Sequence, residues 1–215
     1  MSERIVKGVL LPRLTATVTS LTAEFGLISA AREAVLTELA KFVTATLSAG
    51  ETAKLNFICT HNSRRSHMAQ LWAQAAAHYY RVDDVLCFSG GTEATAFHPR
   101  AVDVLRGVGF DIRQTSQGEN PRYDVRFSDG APMVKAFSKA YNDPANPDHA
   151  FAAIMTCSHA DQNCPLVPGA TNRIAITYED PKDFDGTALE ETAYRDCALQ
   201  IGREMLFAFS TASYA

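Results

Sequence analysis

The tightest constraint on the fold of this chain is a short apolar run that stops abruptly in a polar loop. Residues 55–58 read Leu-Asn-Phe-Ile, and Cys59-Thr-His-Asn-Ser-Arg-Arg-Ser66 follows directly. Residues 68–80 (MAQLWAQAAAHYY) are rich in helix formers and contain neither Gly nor Pro, so the stretch predicts strand, loop and helix in succession. A helix entered this way presents backbone N–H groups without intrahelical partners and the positive end of its dipole, which suits a tetrahedral oxyanion. Cys59 starts the loop, and the same field favours its thiolate. Arg65, six positions on, carries a planar guanidinium able to grip two oxygens of one anion. A thiolate beside such a cradle predicts nucleophilic attack on phosphorus or arsenic.

The pattern Cys59-x5-Arg65-Ser66, with Asn62 and Ser63 inside it, resembles the oxyanion loop of low-molecular-weight protein tyrosine phosphatases and of the arsenate reductases that share their fold. The family loop reads C-T-G-N-S-C-R-S. The resemblance implies that Thr60, His61, Asn62, Ser63, Arg64 and Ser66 surround the substrate. Two positions depart from it. His61 stands where glycine is familiar, a poorer fit if the backbone there needs a positive φ. Arg64 stands where a cysteine is common, and either recruits substrate or faces solvent.

The likeness extends along the chain. Gly91-Thr92, His98-Pro99, Ala101-Val102, Leu105 and the run Gly109-Phe-Asp-Ile112 resemble the matching family segment, with His98 as a capping or surface residue. Cys157-Ser-His-Ala-Asp-Gln-Asn-Cys164-Pro165 resembles the redox stretch of thioredoxin-coupled arsenate reductases, His159 and Asp161 being read as solvating a mobile loop. Asp180-Pro181 resembles the general-acid loop of both activities. Lys182 follows, where the tyrosine phosphatases commonly carry an aromatic residue, which favours the reductase.

A net charge of −4 gives no sign of nucleic-acid binding. The segment MSERIVKGVLLPRL resembles neither a signal peptide nor a membrane span, so a cytoplasmic protein is expected. Five cysteines, an odd number without a C-x-x-C pair, suit buried or catalytic thiols in a reducing compartment and show no zinc spacing.

Taken in order, Pro12 fits the first turn of a short helix, and apolar residues recur at helical spacing over 22–47. This stripe packs on the body or forms a homodimer contact. Strands are expected at 84–89, 123–128, 152–156 and 172–178, and helices at 100–108, 133–141 and 189–209; Cys87 and Cys197 read as core. The expected fold is α/β: a three-layer α/β/α domain with a central, mostly parallel four-stranded sheet, over residues 54–215. It carries a helical N-terminal extension (1–53) and an insertion at about 117–150 on the rim of the site.

The mechanism implied by the resemblance is arsenate reduction. Cys59 attacks arsenate within the loop amides and Arg65, and Asp180 protonates the departing hydroxide. Cys157 and Cys164 then relay a disulfide to thioredoxin, without metal or organic cofactor. Two other readings stay open: a phosphatase using Cys59, Arg65 and Asp180 alone, and an oxyanion-binding or redox-sensing module without turnover.

Overall fold

The computed structural model describes residues 8–164 and 166–212. Pro165 of the Cys-Pro pair and the first seven residues of the extension lie outside them. The chain runs α1 (Pro12–Ala23), α2 (Ala30–Ser48), β1 (Ala53–Cys59), α3 (Arg65–Tyr80), β2 (Val85–Gly91), α4 (Pro99–Val108), β3 (Asp111–Gln114), β4 (Tyr123–Arg126), β5 (Val134–Ala136), β6 (Phe151–Met155), α5 (Ser158–Asn163), β7 (Ala170–Ala175) and α6 (Glu190–Ala212). Four strands form a wholly parallel sheet in the order β2-β1-β6-β7.

The central strands β1 and β6 are buried on both faces, as a parallel sheet covered on each side requires. Their side chains alternate. Leu55, Phe57, Ala152 and Ile154 join the main core under the helices, whereas Ile58, Phe151, Ala153 and Met155 face a smaller cluster with Ala160 and Val167. The layers are therefore unequal: α5 and irregular chain around Tyr141 cover the second face. Glutamines of α3 close the outer edge of β2, Gln74 pairing with the Val85 carbonyl (3.1 Å) and the Cys87 amide (2.9 Å), and Gln70 with the Cys87 carbonyl (2.9 Å). Gly202 brings α6 against Trp72 of α3; a Cβ there would lie 2.7 Å from an indole carbon.

Three expected elements differ, the first being the stretch after Cys157, read as a mobile loop, which forms helix α5 (Ser158–Asn163) with Asp161 paired to Arg173. The continuous helix over 22–47 is broken: α1 ends at Ala23, Phe25–Leu27 forms a 3-10 turn around Gly26, and α2 restarts behind Ser29. The Ser29 hydroxyl accepts from the Arg32 amide (3.3 Å), so a serine cap sets the boundary where periodicity alone shows none. Residues 133–141 are not a helix. Val134 pairs with Val125 and Ala136 with Tyr123, which makes β5 the third strand of an antiparallel sheet β3-β4-β5. Period-two pairing across β4 overrides a weak helical pattern there.

The stripe of α2 (Leu36, Leu39, Ala40, Val43) is buried within the chain, and α1 and α2 pack on α6. Arg32 anchors α2, its Nε and Nη2 reaching Glu204 Oε2 of α6 at 2.9 and 2.7 Å while Nη2 also donates to the Thr177 carbonyl at 3.0 Å. No helix among the described residues is long and apolar enough to cross a membrane.

Candidate active site

The carboxyl ends of β1, β6 and β7 lie side by side, and each delivers one part of the site. β1 ends at Cys59, which is buried with its thiol 3.1 Å from the Ser66 hydroxyl at the start of α3. The loop between them is held from outside by its own carbonyls. The Thr60 carbonyl accepts from the Glu93 amide (3.0 Å) and the Thr92 hydroxyl (3.1 Å). The His61 carbonyl accepts from Thr95 Oγ1 (3.2 Å) and Ser138 Oγ (3.0 Å), and the Ser63 carbonyl from the His98 amide (2.9 Å). Among the described residues, no backbone carbonyl accepts from the amides of His61, Asn62, Ser63 or Arg64. Carbonyls held outward with amides left over is the polarity of an anion nest.

Asn62, not His61, takes the positive φ (+44°), which an asparagine tolerates. Its side chain spans the loop, Nδ2 donating to Ser66 Oγ (2.8 Å) and Oδ1 accepting from the Lys139 amide (2.9 Å). Ser63 Oγ donates to the Ala96 carbonyl (2.7 Å), and His61 pairs at the rim with Glu93 (2.9 Å).

Arg65 is occupied by the acid loop. Its Nη1 donates to the Tyr178 carbonyl (2.7 Å) and its Nη2 to Asp180 Oδ2 (2.5 Å), while Asp180 Oδ1 accepts from the Lys182 amide (3.1 Å). Arg64 does not face solvent freely: its side chain is only 11% exposed and is bonded within the chain. Its Nε donates to the Tyr194 hydroxyl (2.6 Å), that hydroxyl donates to Asp185 Oδ1 (2.9 Å), and Asp185 Oδ2 lies 3.4 Å from Arg64 Nη2. Burial pushes Tyr194 up to about 12, so it stays a neutral donor to Asp185. Burial, and then the Arg64 charge, hold the neighbouring His98 below the ordinary imidazole value.

β6 delivers Cys157, buried at the N-cap of α5, where its sulfur accepts from the Ala160 amide (3.3 Å). The Thr60 hydroxyl lies 3.5 Å from that sulfur and 3.3 Å from His159 Nδ1. Cys164 caps the other end of α5 and packs, half-buried, on the cluster that contains Cys59 and Cys157. All five cysteines are free. Burial pushes the other two thiols up, Cys197 to about 12 and Cys87 further, which keeps both protonated and inert.

The nest, Arg65, Asp180 and the three cysteines thus converge from separate stretches, with the Arg64 guanidinium bonded to Tyr194 and Asp185. Sequence reasoning missed Tyr194, Asp185, Ser138 and Lys139. The one available signal was a second arginine in a buried loop, which must find acceptors somewhere.

No family model matches the chain. An arsenate reductase of Brevibacillus brevis is 35% identical over 126 residues, 58% of this chain and 74% of that protein. One from Bacillus cereus is 31% identical over 126 residues, with the same 58% and 74% coverage. A solved structure of an arsenate reductase in the phosphate binding state matches with a TM-score of 0.48 at 20% identity, over 74% of this chain and 98% of that one.

Proposed function

The chain belongs to the arsenate reductase family, and on that premise we propose that it reduces arsenate to arsenite through Cys59, Cys157 and Cys164, with thioredoxin as reductant. Arsenate enters the nest, and its oxygens take the Arg65 fork from Asp180. The Cys59 thiolate attacks arsenic, forming an S–As bond; hydroxide leaves and takes the Asp180 proton as water. Arg65 and the loop amides carry the charge that builds on the oxygens.

The Cys157 thiolate then attacks the Cys59 sulfur. The S–As electron pair stays on arsenic, which falls from the pentavalent to the trivalent state and leaves as arsenite, while Cys59 and Cys157 become a disulfide. Cys164 attacks Cys157 in turn, which releases Cys59 and leaves a disulfide for thioredoxin to reduce. The observation that carries this reading is the shared apolar cluster: Cys59 and Cys157 lie in it together, with Cys164 packed at its edge. A phosphatase needs only the first of the three.

Steady-state arsenate reduction with thioredoxin, its reductase and NADPH tests the proposal, comparing wild type with Cys164→Ser. Turnover that collapses to a single cycle in the variant supports the relay. An inactive wild type that still hydrolyses an aryl phosphate selects a phosphatase instead.

A further inference from the structure

The resolving step needs Cys157 as a thiolate, yet this sulfur is buried in an apolar cluster. A thiol there must lose its proton to a neighbour, since water has no ready access. The Cys157 sulfur is 3.5 Å from Thr60 Oγ1, and Thr60 Oγ1 is 3.3 Å from His159 Nδ1. His159 stands in the first turn of α5, two residues after Cys157. The three atoms form a chain from the buried sulfur to the protein surface.

We propose that His159 is the proton acceptor for Cys157, with the Thr60 hydroxyl as the bridge. This rests on the three-cysteine reading and adds to it the group that arms its second nucleophile. The proton on Cys157 passes to Thr60 Oγ1 as the hydroxyl proton passes to His159 Nδ1, so Thr60 ends unchanged and the imidazole becomes imidazolium. The chain then reverses its polarity. The thiolate is left accepting from the Thr60 hydroxyl and from the Ala160 amide, which already points at it at 3.3 Å. The Thr60 carbonyl is pinned by Glu93 and Thr92, so the backbone that carries the bridging hydroxyl is held in place. When arsenite leaves as a more basic oxyanion, the imidazolium is the adjacent group with a proton to return.

The test is single-turnover arsenite release in a Cys164→Ser background, where the reaction stops at the Cys59–Cys157 disulfide, identified by peptide mass. His159→Ala and Thr60→Val each slow this step roughly a hundredfold, the size typical of a lost general base. Thr60→Ser retains the hydroxyl and stays close to the parent rate, and added imidazole restores a substantial part of the His159→Ala rate. Slow release in His159→Ala without imidazole rescue, or rates in both variants indistinguishable from the parent, overturns the relay. No arsenite from the Cys164→Ser parent overturns the reductase reading beneath it.

Discussion

Closing a Cys157–Cys164 disulfide must unwind α5. The two residues are its N-cap and C-cap, seven positions apart. At 1.5 Å per residue they are separated by about 10 Å of helix rise, whereas a disulfide needs Cα atoms about 4.4–6.8 Å apart. Chief among what opposes unwinding is Arg173 of β7. Its Nη2 donates to the Asp161 carbonyl (2.5 Å) and lies 2.6 Å from Asp161 Oδ1, and its Nε donates to the Cys164 carbonyl (3.1 Å). The pair is partly exposed (28% and 30%), so after solvent screening these contacts contribute about 1–3 kcal/mol to local stability. Arg173→Ala should therefore speed amide exchange in α5 roughly ten- to a hundredfold with little effect elsewhere. The direct assay is exchange at the amides of Ala160, Asp161 and Cys164 in Cys59→Ser protein, reduced and oxidised. Protection is expected in the reduced form and lost on oxidation. Equal protection in both forms, with the disulfide verified by mass, would refute the reasoning.

Three further outcomes follow from single contacts. Lys139 is buried, with its Nζ 3.5 Å from the Phe137 carbonyl, and burial lowers it from 10.5 to about 8. The unfolded chain therefore holds the extra proton between those values, and stability rises with pH across that window and is lost again as pH falls through about 8. Lys139→Met should raise stability at pH 7 by up to about 3 kcal/mol and flatten that rise, read by urea denaturation at several pH values. Tyr194→Phe leaves the Arg64 Nε and Asp185 Oδ1 atoms without their shared hydroxyl and should cost about 1–3 kcal/mol by thermal denaturation. Gly202→Ala drives a methyl to 2.7 Å from the Trp72 ring and should cost about 1–3 kcal/mol, with Trp72 fluorescence shifted.

Strand, nest and helix were legible at residues 55–80 because each is a local signal: an apolar run, a polar break, then helix formers. Strands β1, β2 and β6 of the parallel sheet were legible for the same reason, each being a short apolar run closed by turn residues, whereas β7 (Ala170–Ala175) is largely exposed and begins two residues before the expected 172–178 run. What escaped depends on distant partners. β5 is a strand only because Val125 and Tyr123 of β4 lie opposite it. The Arg64 guanidinium finds its acceptors in Tyr194, 130 positions on, and in Asp185. The split between α1 and α2 was the exception, since Ser29 followed three residues later by Arg32 is a local cap that a continuous apolar stripe concealed.

The two halves of the site are built to different standards of rigidity, and the chemistry accounts for the difference. In the proposed reaction charge builds on the substrate oxygens inside the nest, so the donors must be oriented beforehand; Asn62, Ser63 and Ser66 are buried and bonded, residues 92–98 and Ser138 brace the loop carbonyls, and the Lys139 amide holds Asn62 Oδ1. Arg64, Tyr194 and Asp185 extend that bracing to the chain just beyond Asp180, so Asp180, the proposed acid, is carried on a segment fastened to the Cys59 loop. The Cys157 half, in the proposed relay, has instead to pass a disulfide on. It is accordingly held by one short helix whose principal clamp, Arg173, grips a side chain and two carbonyls at the surface. An element held that lightly opens for about the cost of a few hydrogen bonds, without loosening the nest beside it.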